Sequence, residues 1–271
     1  MIEGSESFKA KHIILCNCRG ERIHQDIIGR VDEHLKKMAV RVTRLSDLCG
    51  LVIQNNEQVS GLFVAGTEYL VIGCYHRTIS LLLDKIKRPS NKPFSCKLIN
   101  LIDLSYEEVL DIINGFSGEV KGDPQYFEIT QGTGWQSWYP VIDYSRCNAC
   151  GQCADFCLFG VYEKTGEGIT VLNPQRCKTN CPACARICPS TAIIFPKYKN
   201  GGAIGGSDEI DEQAEQQRQG KDIENFLGND LYAALRNRKV KRQSIIREEA
   251  MKHALAERGK ALNNNLRNEI T

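Results

Sequence analysis

The sequence predicts an α/β domain built on a mostly parallel sheet, followed by a smaller cysteine-rich α+β unit and a helical tail. Three observations carry this prediction. Short apolar runs alternate with helical periodicity over residues 12–104, the pattern of helices covering a parallel sheet. Eight of the 13 cysteines crowd into residues 147–188. Beyond a glycine-rich stretch, residues 208–271 turn polar and carry few aromatic side chains. A chain of 271 residues has room for about two domains.

The first domain spans residues 1–104. His12-Ile13-Ile14-Leu15-Cys16 is a short apolar run suited to a buried strand. Ile23, Ile27, Ile28, Val31, Leu35 and Met38 recur at helical spacing. Val40, Val42 and Leu45 suggest a short strand, and Tyr69 to Cys74 reads as another buried one. Ile79 to Ile86 looks helical, and Leu98 to Ile102 is a fourth strand. Residues 105–138 read as a bridge. Ser105-Tyr106-Glu107-Glu108 has the pattern of a capped helix start, and the turn-rich stretches 115–124 and 131–134 connect the domains. The cysteine-rich unit covers 139–197, and Gly201 to Ser207 reads as a flexible linker within the last segment, 198–271. In that segment Ile223, Phe226, Leu227, Leu231 and Leu235 form an apolar stripe at helical spacing.

Composition bounds the function. Hydrophobic residues make up 42% and charged residues 25% of the chain, ordinary values for a soluble globular protein that exclude wholesale disorder. The net charge is only +2, so no global basic field argues for nucleic acid. Residues 236–260 hold nine Lys/Arg against three Asp/Glu. Without aromatic side chains, that run reads as a solvated helix that docks on a partner subunit. No apolar run approaches the roughly 18 residues that span a bilayer, and Met1 to His12 lacks the apolar core of a signal peptide. The expectation is a cytoplasmic protein without membrane insertion. Disulfides are rare in that compartment, so its cysteines point to metal or redox chemistry.

The cysteines of the second unit form two runs. Cys147, Cys150, Cys153 and Cys157 follow C-x2-C-x2-C-x3-C; Cys177, Cys181, Cys184 and Cys188 follow C-x3-C-x2-C-x3-C, with Pro189 next. Zinc sites also use C-x2-C pairs, but they do not need three spaced cysteines and a fourth, twice over. The runs resemble the two-cluster bacterial ferredoxins over about 60 residues. The resemblance implies a ferredoxin-like domain with two [4Fe–4S] clusters, each taking its fourth ligand from the other run. One cluster then belongs to Cys147, Cys150, Cys153 and Cys188, the other to Cys177, Cys181, Cys184 and Cys157. The flanks agree: Val141-Ile142 and Ile169 to Leu172 precede the runs, and Val161-Tyr162 and Ile193-Ile194-Phe195 follow them. Two features depart from the family. Leu158 stands where the motif has proline, and the second run has one extra residue between its first two cysteines.

Cys16, Cys18, Cys49 and Cys74 fall at or beyond the ends of predicted strands, which a parallel sheet gathers at one edge. This arrangement resembles the N-terminal domain of the heterodisulfide reductase A subunit over about 90 residues, which implies a third iron–sulfur cluster on these four. Two other readings stay open: buried inert thiols, and a thiol–disulfide pair at Cys16 and Cys18. Cys96 fits no pattern and reads as structural. The family subunit binds flavin. Here Gly132-Thr-Gly134-Trp-Gln-Ser137 lacks both the last glycine of a dinucleotide fingerprint and a preceding apolar strand, so no flavin is expected. His76 reads as a surface or helix-capping residue, and Trp135, Trp138 and Tyr139 as packing between the domains. No residue is assigned a catalytic role. The expected function is one-electron relay between a donor and an acceptor on other oxidoreductase subunits. The alternative is a thiol–disulfide enzyme at Cys16 and Cys18, fed by the ferredoxin domain.

Overall fold

Ile13, Ile14 and Leu15 are apolar and consecutive because both faces of their strand are covered. That strand is the centre of a sheet in a computed structural model that describes residues 10–86, 95–118, 122–132, 134–166 and 168–227. In chain order the first elements are β1 (Ala10–Cys16), α1 (Gln25–Leu35), β2 (Arg41–Leu45), α2 (Leu48–Gln54), α3 (Asn56–Ser60), β3 (Thr67–Gly73), α4 (His76–Leu83), β4 (Ser95–Asn100), α5 (Tyr106–Ser117) and β5 (Gln125–Ile129). The sheet order is β4-β3-β1-β2-β5, and every neighbouring pair is parallel. Right-handed crossovers put α1 and α5 on one face and α2, α3 and α4 on the other. The packing agrees: α1 meets α5, and α2 meets both α3 and α4.

The stretch from 105 to 138 does more than bridge. Ser105 and Glu108 form a reciprocal capping box that starts α5, and Val109, Ile113 and Phe116 bury one stripe of it. β5 then pairs with β2 and completes the sheet. It is an edge strand with Gln125, Phe127 and Glu128 exposed, so it shows little apolar alternation.

The cysteine-rich unit contains β6 (Val141–Ile142), α6 (Gln152–Phe156), β7 (Tyr162–Thr165), β8 (Gly168–Val171), a 3-10 turn (Pro174–Arg176), α7 (Ala183–Arg186) and β9 (Ile193–Ile194). β6 pairs with β9 and β7 with β8, both antiparallel. Trp138, Ile142, Ile169, Ile193, Phe195 and Ile204 form its core. Each such side chain, fully buried, contributes roughly 1.5–3 kcal/mol.

The glycine-rich stretch 201–207 is ordered rather than a flexible linker. It forms α8 (Gly202–Gly205), and Ala203 and Ile204 are buried. The Phe195 N–H donates to the Ile204 carbonyl at 2.7 Å. Gly206 has a φ of +89°, and a Cβ there would come within 2.0 Å of Thr78 Oγ1. Glycine is used for close approach, not for freedom. The sheet and the cysteine-rich unit lie in one compact unit ending at Gln219. The last described element is α9 (Glu212–Leu227). Leu231, Leu235 and the basic run 236–260 lie outside the described residues.

Candidate metal centres

The two cysteine runs fold alike. Ala149, just before Cys150, has a φ of +56°, and Asn180, just before Cys181, has a φ of +62°. Each left-handed residue turns the chain between the first and second cysteine. The extra residue of the second run is absorbed upstream, in a turn closed by the Cys181 N–H on the Lys178 carbonyl at 3.1 Å. The third cysteine of each run, Cys153 or Cys184, sits on a short helix, α6 or α7. Three residues beyond each fourth cysteine the backbone is again left-handed, at Gly160 (+65°) and Thr191 (+50°).

Cys147, Cys150, Cys153 and Cys188 line one cavity, together with Ile142, Ile169, Ala192 and Ile193. Burial pushes the Cys153 thiol up to about 11, and Cys188, Cys147 and Cys150 add to the effect. The remaining four gather separately. Burial pushes Cys177 up to about 12, with Cys181 and Cys157 adding. Cys184 is raised by burial first, then by Cys177, Cys157 and Cys181. The Tyr162 hydroxyl donates to Cys184 Sγ at 3.0 Å, and the Ala192 N–H to Cys188 Sγ at 3.4 Å. Among the described residues no three His, Cys, Asp or Glu side chains form a site for a single metal ion. A bare thiolate is costly in these apolar surroundings, and four thiolates need a cationic centre to neutralise them. The donor set and the cavity therefore fit a cysteine-ligated iron–sulfur group.

A third group of cysteines gathers at the carboxyl edge of the sheet. Cys16 ends β1, Cys18 follows it, Cys49 lies in the first turn of α2, and Cys74 follows β3. The chain leaves β1 and β3 in opposite directions, so this is the topological switch point of the sheet. Gly73 lets the two strand ends close, since a Cβ there would stand 3.3 Å from Cys16 Cβ. The neighbouring thiols act on each other: Cys18 raises the pKa of Cys16, and Cys16 lowers that of Cys18. Burial raises Cys49 and Cys74; Cys74 and Cys18 add to the rise at Cys49, and Cys18 to that at Cys74. The Leu48 N–H donates to Cys16 Sγ at 3.4 Å.

Three residues beside this group carry no motif. Asp47 caps α2, accepting from the Cys49 N–H at 3.2 Å, and also accepts from the Ser137 hydroxyl and the Lys197 ammonium. Lys197 donates to Ser137 Oγ at 2.5 Å. Burial opposes the Lys197 charge, but Asp47 and Cys49 hold its pKa above the ordinary value. The Tyr139 hydroxyl donates to the Cys49 carbonyl at 2.7 Å, and its ring stacks on Trp135 at 5.8 Å. Trp138 stacks on Phe195 at 5.1 Å. His76 bonds Asp208 and the Leu98 carbonyl, whereas Arg77 reaches Asp143 and the Thr191 carbonyl. Cys96 lies in β4 opposite Tyr69.

Comparison with known proteins addresses the cysteine-rich unit. Residues 140–160 match the family described as 4Fe-4S binding domain. An uncharacterized ferredoxin of Methanocaldococcus jannaschii is 37% identical over 55 residues, covering 20% of this chain and 87% of that protein. The chain belongs to the 4Fe–4S ferredoxins. A second uncharacterized ferredoxin of the same organism is 47% identical over 64 residues, 23% of this chain and 44% of its own length. The pyruvate synthase subunit PorD of that organism is 30% identical over 59 residues, 22% of this chain and 67% of the subunit. This chain thus spans less than half of one of these ferredoxins. Iron–sulfur electron transfer is the chemistry of its ferredoxin segment. Among the described residues no helix is long and apolar enough to cross a membrane.

Proposed function

We propose that the chain relays single electrons through two [4Fe–4S] clusters, as a subunit or partner of a larger cytoplasmic oxidoreductase. One observation carries this reading. The eight cysteines of residues 147–188 gather as two separate fours, each completed by the last cysteine of the opposite run. Cys147, Cys150, Cys153 and Cys188 are the proposed ligands of one cluster, and Cys157, Cys177, Cys181 and Cys184 those of the other. Bound clusters supply reversible one-electron chemistry. The chain's own part is to dry and orient them. Ile142, Ile169 and Ile193 keep water from the first, and Tyr162 donates a hydrogen bond to a sulfur of the second. With all four ligands of each cube supplied by cysteine, the unit conducts electrons and transforms no substrate. The match to a pyruvate synthase subunit supports a place in a multisubunit oxidoreductase.

Cys16, Cys18, Cys49 and Cys74 are proposed to hold a third cluster, as the resemblance to the heterodisulfide reductase A subunit implies. The closeness of Cys16 and Cys18, both buried and each shifting the other's pKa, favours the second reading, a dithiol at the same place that cycles with a disulfide. Iron and acid-labile sulfide per chain, measured on protein purified without oxygen, separate the two. About twelve iron in the parent and about eight in the Cys16→Ala, Cys18→Ala variant indicate a third cluster. About eight in both, with two thiols that alkylate only after reduction, indicate the dithiol. Bound zinc in place of iron overturns the electron-transfer reading altogether.

A further inference from the structure

Three large apolar side chains lie exposed beside the second cysteine set: Leu158 at 67%, Phe159 at 40% and Leu172 at 56%. They are neighbours in space as well as in type. Leu158 and Phe159 lead into Gly160 and Val161, and the Leu172 N–H donates to the Val161 carbonyl at 2.9 Å. Asn173 Nδ2 donates to the Gly160 carbonyl at 3.0 Å. Among the described residues the other exposed large apolar side chains, Val64, Ile112, Phe127 and Tyr144, lie on separate segments. The group sits over one redox centre: Cys157 immediately precedes Leu158, and Cys177 follows the 3-10 turn that begins two residues after Leu172.

Two exposed cations, Arg176 and Lys178, stand beside this surface. Arg176 lies against Gly160, where a Cβ would stand 3.8 Å from its Nη1. Lys178 is exposed next to Cys177. Among the described residues neither has an ion-pair partner, whereas Asp155, on α6, is held by Lys164 at 2.6 Å. An apolar centre with unpaired cations at its edge complements an apolar centre with carboxylates at its edge, and repels a basic face. Three side chains make a small contact, of the kind that weak electron-transfer encounters use.

We propose that Leu158, Phe159 and Leu172, with Arg176 and Lys178, form the docking surface for an acidic redox protein. One electron crosses there from the cluster held by Cys157, Cys177, Cys181 and Cys184 to the partner. The cluster loses the electron that the partner gains, and no atom is transferred. The proposal rests on the two-cluster reading and names the exit of that wire.

The test uses the full chain, reduced without oxygen, and two probe acceptors that share one fold: basic cytochrome c, and the same protein with its lysines succinylated so that it is acidic. Stopped-flow rates are followed at low and high salt, beside a small neutral quinone. The acidic probe is expected to react about tenfold faster than the basic one at low salt, with the advantage lost as salt rises. Arg176→Glu with Lys178→Glu is expected to remove most of that advantage, and Leu158→Ser with Leu172→Ser to slow the acidic probe several-fold. The rate with the quinone and the iron content should stay at the parent's values. An acidic-probe rate untouched by both double variants overturns the surface. So does a change from dimer to monomer in Leu158→Ser, Leu172→Ser, because a second copy would then be the occupant. A parent without [4Fe–4S] absorbance fails the function reading instead, so the two failures are distinct.

Discussion

Tyr162 is the residue whose effect is easiest to isolate. Its hydroxyl donates to Cys184 Sγ at 3.0 Å, and a hydrogen bond to sulfur stabilises the more negative, reduced state of a cluster. Tyr162→Phe removes only that donor. The potential of one cluster is expected to fall by on the order of tens of mV, with the other unmoved, in a titration followed by electron paramagnetic resonance. Cys188→Ala tests the crossing of ligands. It should abolish the cluster of the first run, not that of its own run, and lower the iron content by about four per chain. The likeness of the two cysteine runs was legible because each repeats one spacing, and the backbone turns alike in both. Asp47 and Lys197 were not, because their ion pair joins residues 150 positions apart. No local pattern records such a partner.

At the scale of elements, that ion pair locks the start of α2 to the chain just beyond β9. The side chains of Lys197 and Asp47 are 18% and 10% exposed. Lys197→Met leaves the Asp47 carboxylate buried with only the Cys49 N–H and Ser137 hydroxyl as donors. The expected cost is about 3 kcal/mol, read as a lower denaturant midpoint; the Asp47→Asn, Lys197→Met double variant should recover part of it. The strands from β1 to β4 were legible from apolar runs, each within a few residues of its observed bounds. β5 was not, because its edge position leaves polar residues on a strand. α8 was not, because a run of glycines reads as freedom when its purpose is contact with Thr78.

Across the whole molecule, acid acts on the sheet through His12. It is 2% exposed in β1, with Nε2 2.8 Å from Thr43 Oγ1. Burial, aided by Arg41, lowers its pKa from 6.5 to about 4. Above pH 6.5 both folded and unfolded chains carry it neutral. As pH falls from 6.5 to 4 the unfolded chain binds a proton that the folded chain refuses, so stability falls by about 3 kcal/mol. Denaturant midpoints at pH 7 and pH 5 should differ less in His12→Gln than in the parent. The pairing of β6 with β9 has another consequence. Val141 lies opposite Ile194 and Ile142 opposite Ile193, so the ferredoxin segment begins and ends at the same place. A piece of chain with joined ends can be spliced into a surface turn of a foreign host without prising that turn apart, and at little loop-closure cost. Joined ends of this kind make the segment portable from one host fold to another.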